Sequence, residues 1–313
     1  MRDTILAALL AATSQLALAD SHSMTLEYGW HAGITSKVEY SLRKKRVQQG
    51  VERGQSMTGS YVLRTSEHPG GIRIDFSDVT NRIDGDDTGA AEHLAGLMEA
   101  VAANPPTYVV SPAGEVTGVV GLAELTARVR ESVSAMLENA PAEVRTRIDG
   151  LMGQMLTERN MLAQLQQEWN RDVGQWIGAE LEQGYLYELD FQAPVPMFGN
   201  VTVPTRATFE YLGRARCDEQ SERARCVVLV YSSSVDEQGS RAILEALFER
   251  IGAPLPADLV FKVDHRVELL TEPDTLLPHR VQVTKASEVP VPGGNTVVSQ
   301  LEVKEFSYTY LDR

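Results

Sequence analysis

Cysteine is almost missing from this chain. Only Cys217 and Cys226 occur in 313 residues, which excludes a disulfide-framework scaffold and a four-thiolate metal site. Basic side chains are also in deficit: 29 Lys and Arg face 43 Asp and Glu, a formal net charge of −14. A chain this acidic is poorly suited to nucleic acid or to the surface of an anionic membrane. After residue 19 no apolar run is long enough to span a bilayer as a helix. There is no G-x-S-x-G elbow, no glycine-rich phosphate loop and no H-E-x-x-H. The histidines, His22, His31, His68, His93, His265 and His279, include no pair at helical zinc-ligand spacing. No motif ties a base to the serine run Ser232-Ser233-Ser234. No catalytic, cofactor-binding or metal residues are therefore assigned, and the chain is not expected to be an enzyme.

What is present is enough apolar material for a real core: 43% of the residues are hydrophobic. Residues 1–19 carry a positive Arg2, an apolar run from Ile5 to Ala12 and a small-residue site Ala17-Leu18-Ala19 ahead of Asp20. That order reads as a secretory signal peptide. The mature protein, 20–313, is expected to be a single exported domain, soluble in a bacterial periplasm, a compartment that permits disulfides.

The chain is organised around the stretch from Gly184 to Tyr231. Thr205 to Leu212 alternates, with Ala207, Phe209 and Tyr211 on one side and Arg206, Thr208 and Glu210 on the other, the period of a strand with one buried face. Val227 to Tyr231 is apolar on both faces, as in a central strand. The two strands form a hairpin whose mouth is expected to be pinned by a Cys217–Cys226 disulfide.

Further strands are expected at Met24–Trp30, Lys37–Arg43, Ser56–Leu63, Ile72–Phe76, Thr107–Val110 and Glu115–Val119. The cleanest alternation places Phe261, Val263, His265, Val267 and Leu269 on one face of a strand, and His279 to Lys285 returns beside it. His265, on that apolar face, reads as a core histidine rather than a ligand or base. In the last strand, Thr296 to Leu311, the apolar set shifts phase near Lys304-Glu305, which implies a bulge and a curved sheet. The run Arg43-Lys44-Lys45-Arg46 reads as a charged, solvated strand end that blocks edge pairing; an anion-binding patch is the other reading. Asp84-Gly85-Asp86-Asp87-Thr88-Gly89 has the look of half a calcium loop. The position of its bidentate glutamate falls on Ala95, so it reads as an acidic turn capping a helix near Ala90. Helices are expected at 90–103, 122–139, 142–176 and 240–251, the third with a methionine-rich apolar face that fills core. Trp169 and Trp176 are expected to clamp helix to sheet.

Three segments carry a resemblance: the hairpin from Phe209 through Tyr231, the strand–turn–strand Val267-Glu268-Leu269-Leu270-Thr271-Glu272-Pro273-Asp274-Thr275-Leu276-Leu277-Pro278, and Tyr108-Val109-Val110-Ser111-Pro112-Ala113-Gly114-Glu115-Val116. Together they resemble exported bacterial proteins with an antiparallel half-barrel sheet, among them the periplasmic lipoprotein-localisation carriers. The resemblance covers the strands and not the helices at 122–176. It implies an apolar cavity for acyl chains between sheet and helices, and it carries no lipid-binding residue over to this chain.

The expected fold is α+β: a curved antiparallel, half-barrel-like sheet packed on several α-helices. The expected function is a carrier for an apolar or lipid-like ligand. The alternative is an envelope structural or protein-interaction module without a small ligand.

Overall fold

The computed structural model describes residues 23–85, 105–138, 156–194, 202–219, 223–236, 262–290 and 297–311, with isolated positions within 142–153 and 239–245. The region of the expected signal peptide, the expected helix at 90–103 and most of that at 240–251 lie outside the described residues.

Strands dominate. After β1 (Ser23–Thr25) come three long strands, β2 (Thr35–Gln48), β3 (Val51–His68) and β4 (Gly71–Gly85). A short hairpin follows, β5 (Thr107–Val110) and β6 (Val116–Val120). Helix α1 (Leu122–Met136) and helix α2 (Glu158–Asp172) come next, then a 3-10 turn at Gly174–Trp176. The chain closes with β7 (Glu180–Glu182), β8 (Leu186–Pro194), β9 (Thr202–Ala215), β10 (Cys226–Val235), β11 (Lys262–Thr271), β12 (Pro278–Pro290) and β13 (Val297–Tyr310).

Eleven of these strands form one open antiparallel sheet in the order β6-β5-β4-β3-β2-β13-β12-β11-β10-β9-β8. Each neighbour in space is also the neighbour in sequence except at one seam, where β13 pairs with β2 from Val298↔Gln48 to Tyr310↔Ser36. Two meanders, one from each half of the chain, are thus joined by the first and the last strand of this sheet. β1 and β7 make a separate two-stranded ribbon.

The long strands run well past the apolar alternation that marks them in the sequence. Residues 44–48, 51–55 and 80–85 are mostly polar, with Val47, Val51 and Ile83 the exceptions, yet the ladders β2–β3 and β3–β4 continue through them. Two expectations are corrected here. The basic run at 43–46 is no strand end: it lies inside β2, paired with β13 on one side and β3 on the other. Asp84-Gly85 ends β4 instead of forming a turn, and residues 86–89 lie outside the described residues.

Helix is scarcer than the expected several packed helices. The helices described in full are two α-helices of 15 residues each and the 3-10 turn; single helical positions are also described within 142–153 and 239–245. The expected helix over 142–176 does not run continuously: Thr157 caps α2 by accepting from the Asn160 N–H, and the helix ends at Asp172. Among the described residues, α2 is the α-helix that joins the main core. Helix α1 buries Leu125, Val129 and Val133 against Met161 of α2 and Val119 of β6, a satellite cluster at the sheet margin. Met161 is core filling, as its helical spacing suggests.

The main core sits on the face of the sheet that carries α2, the inner face, near one end of the long strands. It joins Val38, Ile74, Leu229, Leu269 and Val281 to Trp169 and Trp176. The segment after β1 is irregular where a strand to Trp30 is expected. Its backbone is tied to the β11–β12 turn by Glu27 N–H to Pro273 O (2.8 Å) and Gly29 N–H to Thr275 O (3.1 Å). Leu276 and Leu277 of that turn are fully buried, so the turn is a plug and not a solvent loop.

Candidate ligand-binding face

Helix α2 sets the geometry of the inner face. Its apolar stripe Met161, Leu165, Trp169 follows the i, i+4 spacing that keeps one side on the core. The Trp169 indole N–H donates to Gly114 O at 2.7 Å, and its ring meets Trp30 edge-on at 5.1 Å. Trp176, fully buried in the 3-10 turn, meets Phe209 edge-on at 5.6 Å. Both tryptophans clamp this side of the sheet, but Trp176 does so beyond the helix end.

A belt of half-buried aromatic rings borders this core. Across β13, β2, β3, β4 and β5 it runs Phe306, Tyr40, Tyr61, Phe76 and Tyr108, with successive centroids 6.0, 6.0, 5.3 and 6.0 Å apart. Phe209 and Tyr231, 5.1 Å apart, continue it on β9 and β10. The tyrosine hydroxyls here stay protonated: burial pushes Tyr61, Tyr108 and Tyr308 upward, and the Asp172 carboxylate pushes the same way. Tyr40 donates its hydroxyl hydrogen to Asn81 Oδ1. Arg171 and Asp172, at the C-terminus of α2, form a mostly buried ion pair at 2.7 Å (Nη2 to Oδ2). Burial opposes the Arg171 charge, but Asp172 more than offsets this and holds the guanidinium protonated.

Beyond the belt the sheet continues. Directly opposed residues of antiparallel strands share a face, so the register fixes what the inner face carries there. One row is Val267, Val283, Lys304, Leu42, Met57 and Ile83; the next is His265, Lys285, Glu302, Lys44 and Gln55. A further row adds Ser287, Gln300, Arg46 and Arg53. Leu42, Met57 and Ile83 are only half-buried. His265 is also half-buried, with its ring edge-on to Tyr231 at 6.0 Å. Burial, with Arg171 and Lys285 adding to it, lowers its pKa to about 4, so the imidazole is neutral at pH 7.

The expected bulge near Lys304-Glu305 is absent, because β13 keeps unbroken register with both β12 and β2. The phase shift in its sequence has another cause. Phe306, Tyr308 and Tyr310 point to the inner face, whereas Leu301 and Val303 point to the outer one. Register shifts do occur at Ser60/Val62, Val109/Val110, Val228/Leu229 and Leu270/Thr271.

Two open grooves of about 510 and 280 Å³ lie chiefly on the outer face. Lys45, Lys262, Asp264 and Glu288 line the larger one beside Val47 and Leu301. Ser232, Ser233 and Ser234 line the smaller one with Arg206, Asp264 and His265, and Ser233 is the cross-strand partner of His265.

Cys217 and Cys226 are joined, with S–S 2.08 Å. A ring nitrogen of His279 lies within 4.8 Å of both sulfurs, while His279 Nε2 is 3.3 Å from Glu272 Oε1. This is the one Cys–His grouping with metal-ligand spacing among the described residues. Its sulfurs are bonded to each other and present no thiolate.

Among the described residues, no helix is long and apolar enough to cross a membrane. No family model matches the chain, and no curated protein matches it. A solved structure concerning lipid–protein interactions in lipovitellin is similar over 90% of this chain, at 9% identity and TM-score 0.40, and this chain spans only 25% of it. The β domain of the Bordetella autotransporter BrkA is similar over 88% of this chain and 99% of its own, at 9% identity and TM-score 0.21. At these scores neither likeness bears on what this chain does.

The sequence reading missed the aromatic belt. Its members are each visible as an apolar position in an alternating strand, but they become one feature only once the β2–β13 seam sets strands from the two halves of the chain side by side.

Proposed function

We propose that this is an exported, non-catalytic binding or carrier protein for an apolar or lipid-like ligand, held on the inner face of the sheet beside α2. The observation that carries the reading is the half-covered inner face. A closed core ends at a belt of half-buried rings, and beyond it Leu42, Met57 and Ile83 extend an apolar row that the helices leave half-exposed. Aromatic rims of this kind suit ligands with one apolar end and one wet end. The disulfide and the signal-like N-terminus support export, with the periplasm as destination. The register shifts support a curved, half-barrel-like sheet, since each adds local twist.

The test is delipidated protein titrated with a fluorescent fatty-acid probe, alongside Leu42→Glu and Met57→Glu. The expected result is saturable one-to-one binding that either substitution lowers at least about tenfold, since a buried charge is costly against an acyl chain. Absence of saturable binding would favour the alternative, an envelope structural or interaction module without a small ligand.

A further inference from the structure

The cations of this acidic chain are sorted by face. On the outer face they are neutralised: Arg43 by Glu305 (3.3 Å), Lys45 by Glu52 (2.7 Å), Arg206 by Asp190 (3.0 Å), Arg280 by Glu268 (3.3 Å) and Arg82 by Asp84 (3.2 Å). On the inner face the register gathers Lys285 on β12, Lys304 on β13, Lys44 and Arg46 on β2, and Arg53 on β3. Only Lys304 has a carboxylate within ion-pair distance there, Glu302 at 3.1 Å, and Glu302 is also the cross-strand neighbour of Lys285 and Lys44. Lys44, Arg46, Arg53 and Lys285 pair with no carboxylate among the described residues; Arg46 donates to the Gln48 amide oxygen at 3.1 Å. In a chain of net charge −14, four cations without a carboxylate in ion-pair range, on β12, β2 and β3 to either side of β13 and its single Glu302, are not a sample of the average surface.

These cations also stand in order along the strands. Moving outward from the core, the inner face presents the aromatic belt, then Leu42, Met57 and Ile83, then Lys44 and Lys285, then Arg46 and Arg53. Strand residues advance about 3.3 Å each, so Lys44 stands about 13 Å from Tyr40 along β2, and Arg46 about 20 Å. An extended acyl chain laid along the strands, its apolar end at the belt, would bring its head to these side chains.

We propose that the inner face takes an amphiphile with an anionic head group, a lipid phosphate or carboxylate, whose charge is met by Lys44, Lys285, Arg46 and Arg53 while its acyl chain lies over Leu42, Met57 and the belt. This rests on the apolar-ligand reading and adds the chemistry of the head. Dispersed lysines and arginines provide several donors to one anionic group, and they account for a basic run set inside a strand instead of at its end.

The test is calorimetric titration of the delipidated full chain with dodecyl phosphate, with dodecylphosphocholine and with inorganic phosphate, each below micelle formation. The expected order is dodecyl phosphate tightest, by roughly tenfold over the zwitterion given a few partly exposed charge contacts, with inorganic phosphate weaker than either. That preference should shrink in high salt and vanish in Lys44→Gln/Arg53→Gln/Lys285→Gln. It should persist in the outer-face control Arg43→Gln/Lys45→Gln. The single variant Lys285→Gln, at an exposed position, serves if the triple variant loses its native circular dichroism. Equal affinity for the two dodecyl compounds would overturn the head-group assignment and leave the apolar site standing. Binding of neither would overturn both. Inorganic phosphate as tight as dodecyl phosphate would mean a free-anion site, and an unchanged preference in the inner-face variants would place the head elsewhere.

Discussion

The indole N–H of Trp169 donates to the carbonyl of Gly114 across 55 residues of sequence, at 2.7 Å with both residues buried. This bond fixes α2 to the β5–β6 turn and so decides how much of the inner face the helix covers. Trp169→Phe keeps an aromatic ring and leaves the Gly114 carbonyl without its donor, at an expected cost of about 1–3 kcal/mol. Trp169→Ala also empties the contacts with Trp30, Tyr28 and Tyr108 and should cost about 3–5 kcal/mol. Urea unfolding of the two variants measures both; equal stability of Trp169→Phe and wild type would show that the bond contributes nothing.

The Cys217–Cys226 bond closes a loop with a sequence separation of 9. Constraining that loop in the unfolded chain is worth about 2–3 kcal/mol. Cys217→Ser/Cys226→Ser should lower stability by that amount with little change of fold, because β9 and β10 remain paired far beyond the loop. Denaturant midpoints with and without a phosphine reductant give the value, and wild type should respond to the reductant while the double variant should not.

His265 is neutral in the folded protein at pH 7, with its pKa lowered to about 4. An unfolded chain takes up that proton near pH 6.5, so between pH 6.5 and 4 the unfolded state binds more protons and the folded state loses stability as pH falls. The groups facing His265 are Arg171 and Asp172 on α2, Lys285 on β12 and Lys304 on β13. The loss should total about 2–3 kcal/mol by pH 4. His265→Gln should remove that part of the acid sensitivity, which thermal melts of both proteins across the window would reveal as a flatter profile.

Gly71 begins β4 at φ +135°, and a Cβ there would stand 2.1 Å from the carbonyl oxygen of Val110. Neither the backbone conformation nor the approach of β5 tolerates a side chain. Gly71→Ala should cost about 2–4 kcal/mol and should open the pairing of Ile72 with Val110 first. Amide hydrogen exchange would show lost protection in β5 before the rest of the sheet; protection unchanged in β5 would contradict this.

Alternation with a period of two was enough to find most of the main sheet from residues alone. It put Ala207 and Tyr211, Val267 and Leu269, and Val281 and Val283 on covered faces, and all six are buried. It also gave a central place to β10, which pairs on both sides. The reading failed where polar residues carry the ladder. Lys44 to Gln48 has no apolar period, yet backbone hydrogen bonds to β3 and β13 hold it in the sheet, so a strand looked like its own end. In β13, Leu301 and Val303 against Phe306 and Tyr308 looked like a bulge because the local pattern cannot distinguish an inserted residue from a change in which face is apolar.

By itself, then, the sequence determined most of the strands, the hairpin that carries Cys217 and Cys226 and the joining of those two residues, the return of His279 to Lys285 beside the strand of His265, and the lack of any known catalytic motif. These follow from periods and turns written within a few residues. Only the tertiary structure decided that β2 meets β13, that α2 covers one end of one face, and that Lys44 and Lys285 share that face while Lys45 pairs with Glu52 on the other. The first of these, and the meeting of Lys44 with Lys285, depend on register between strands more than two hundred residues apart, which main-chain hydrogen bonds and burial set together and which local side-chain periodicity does not encode.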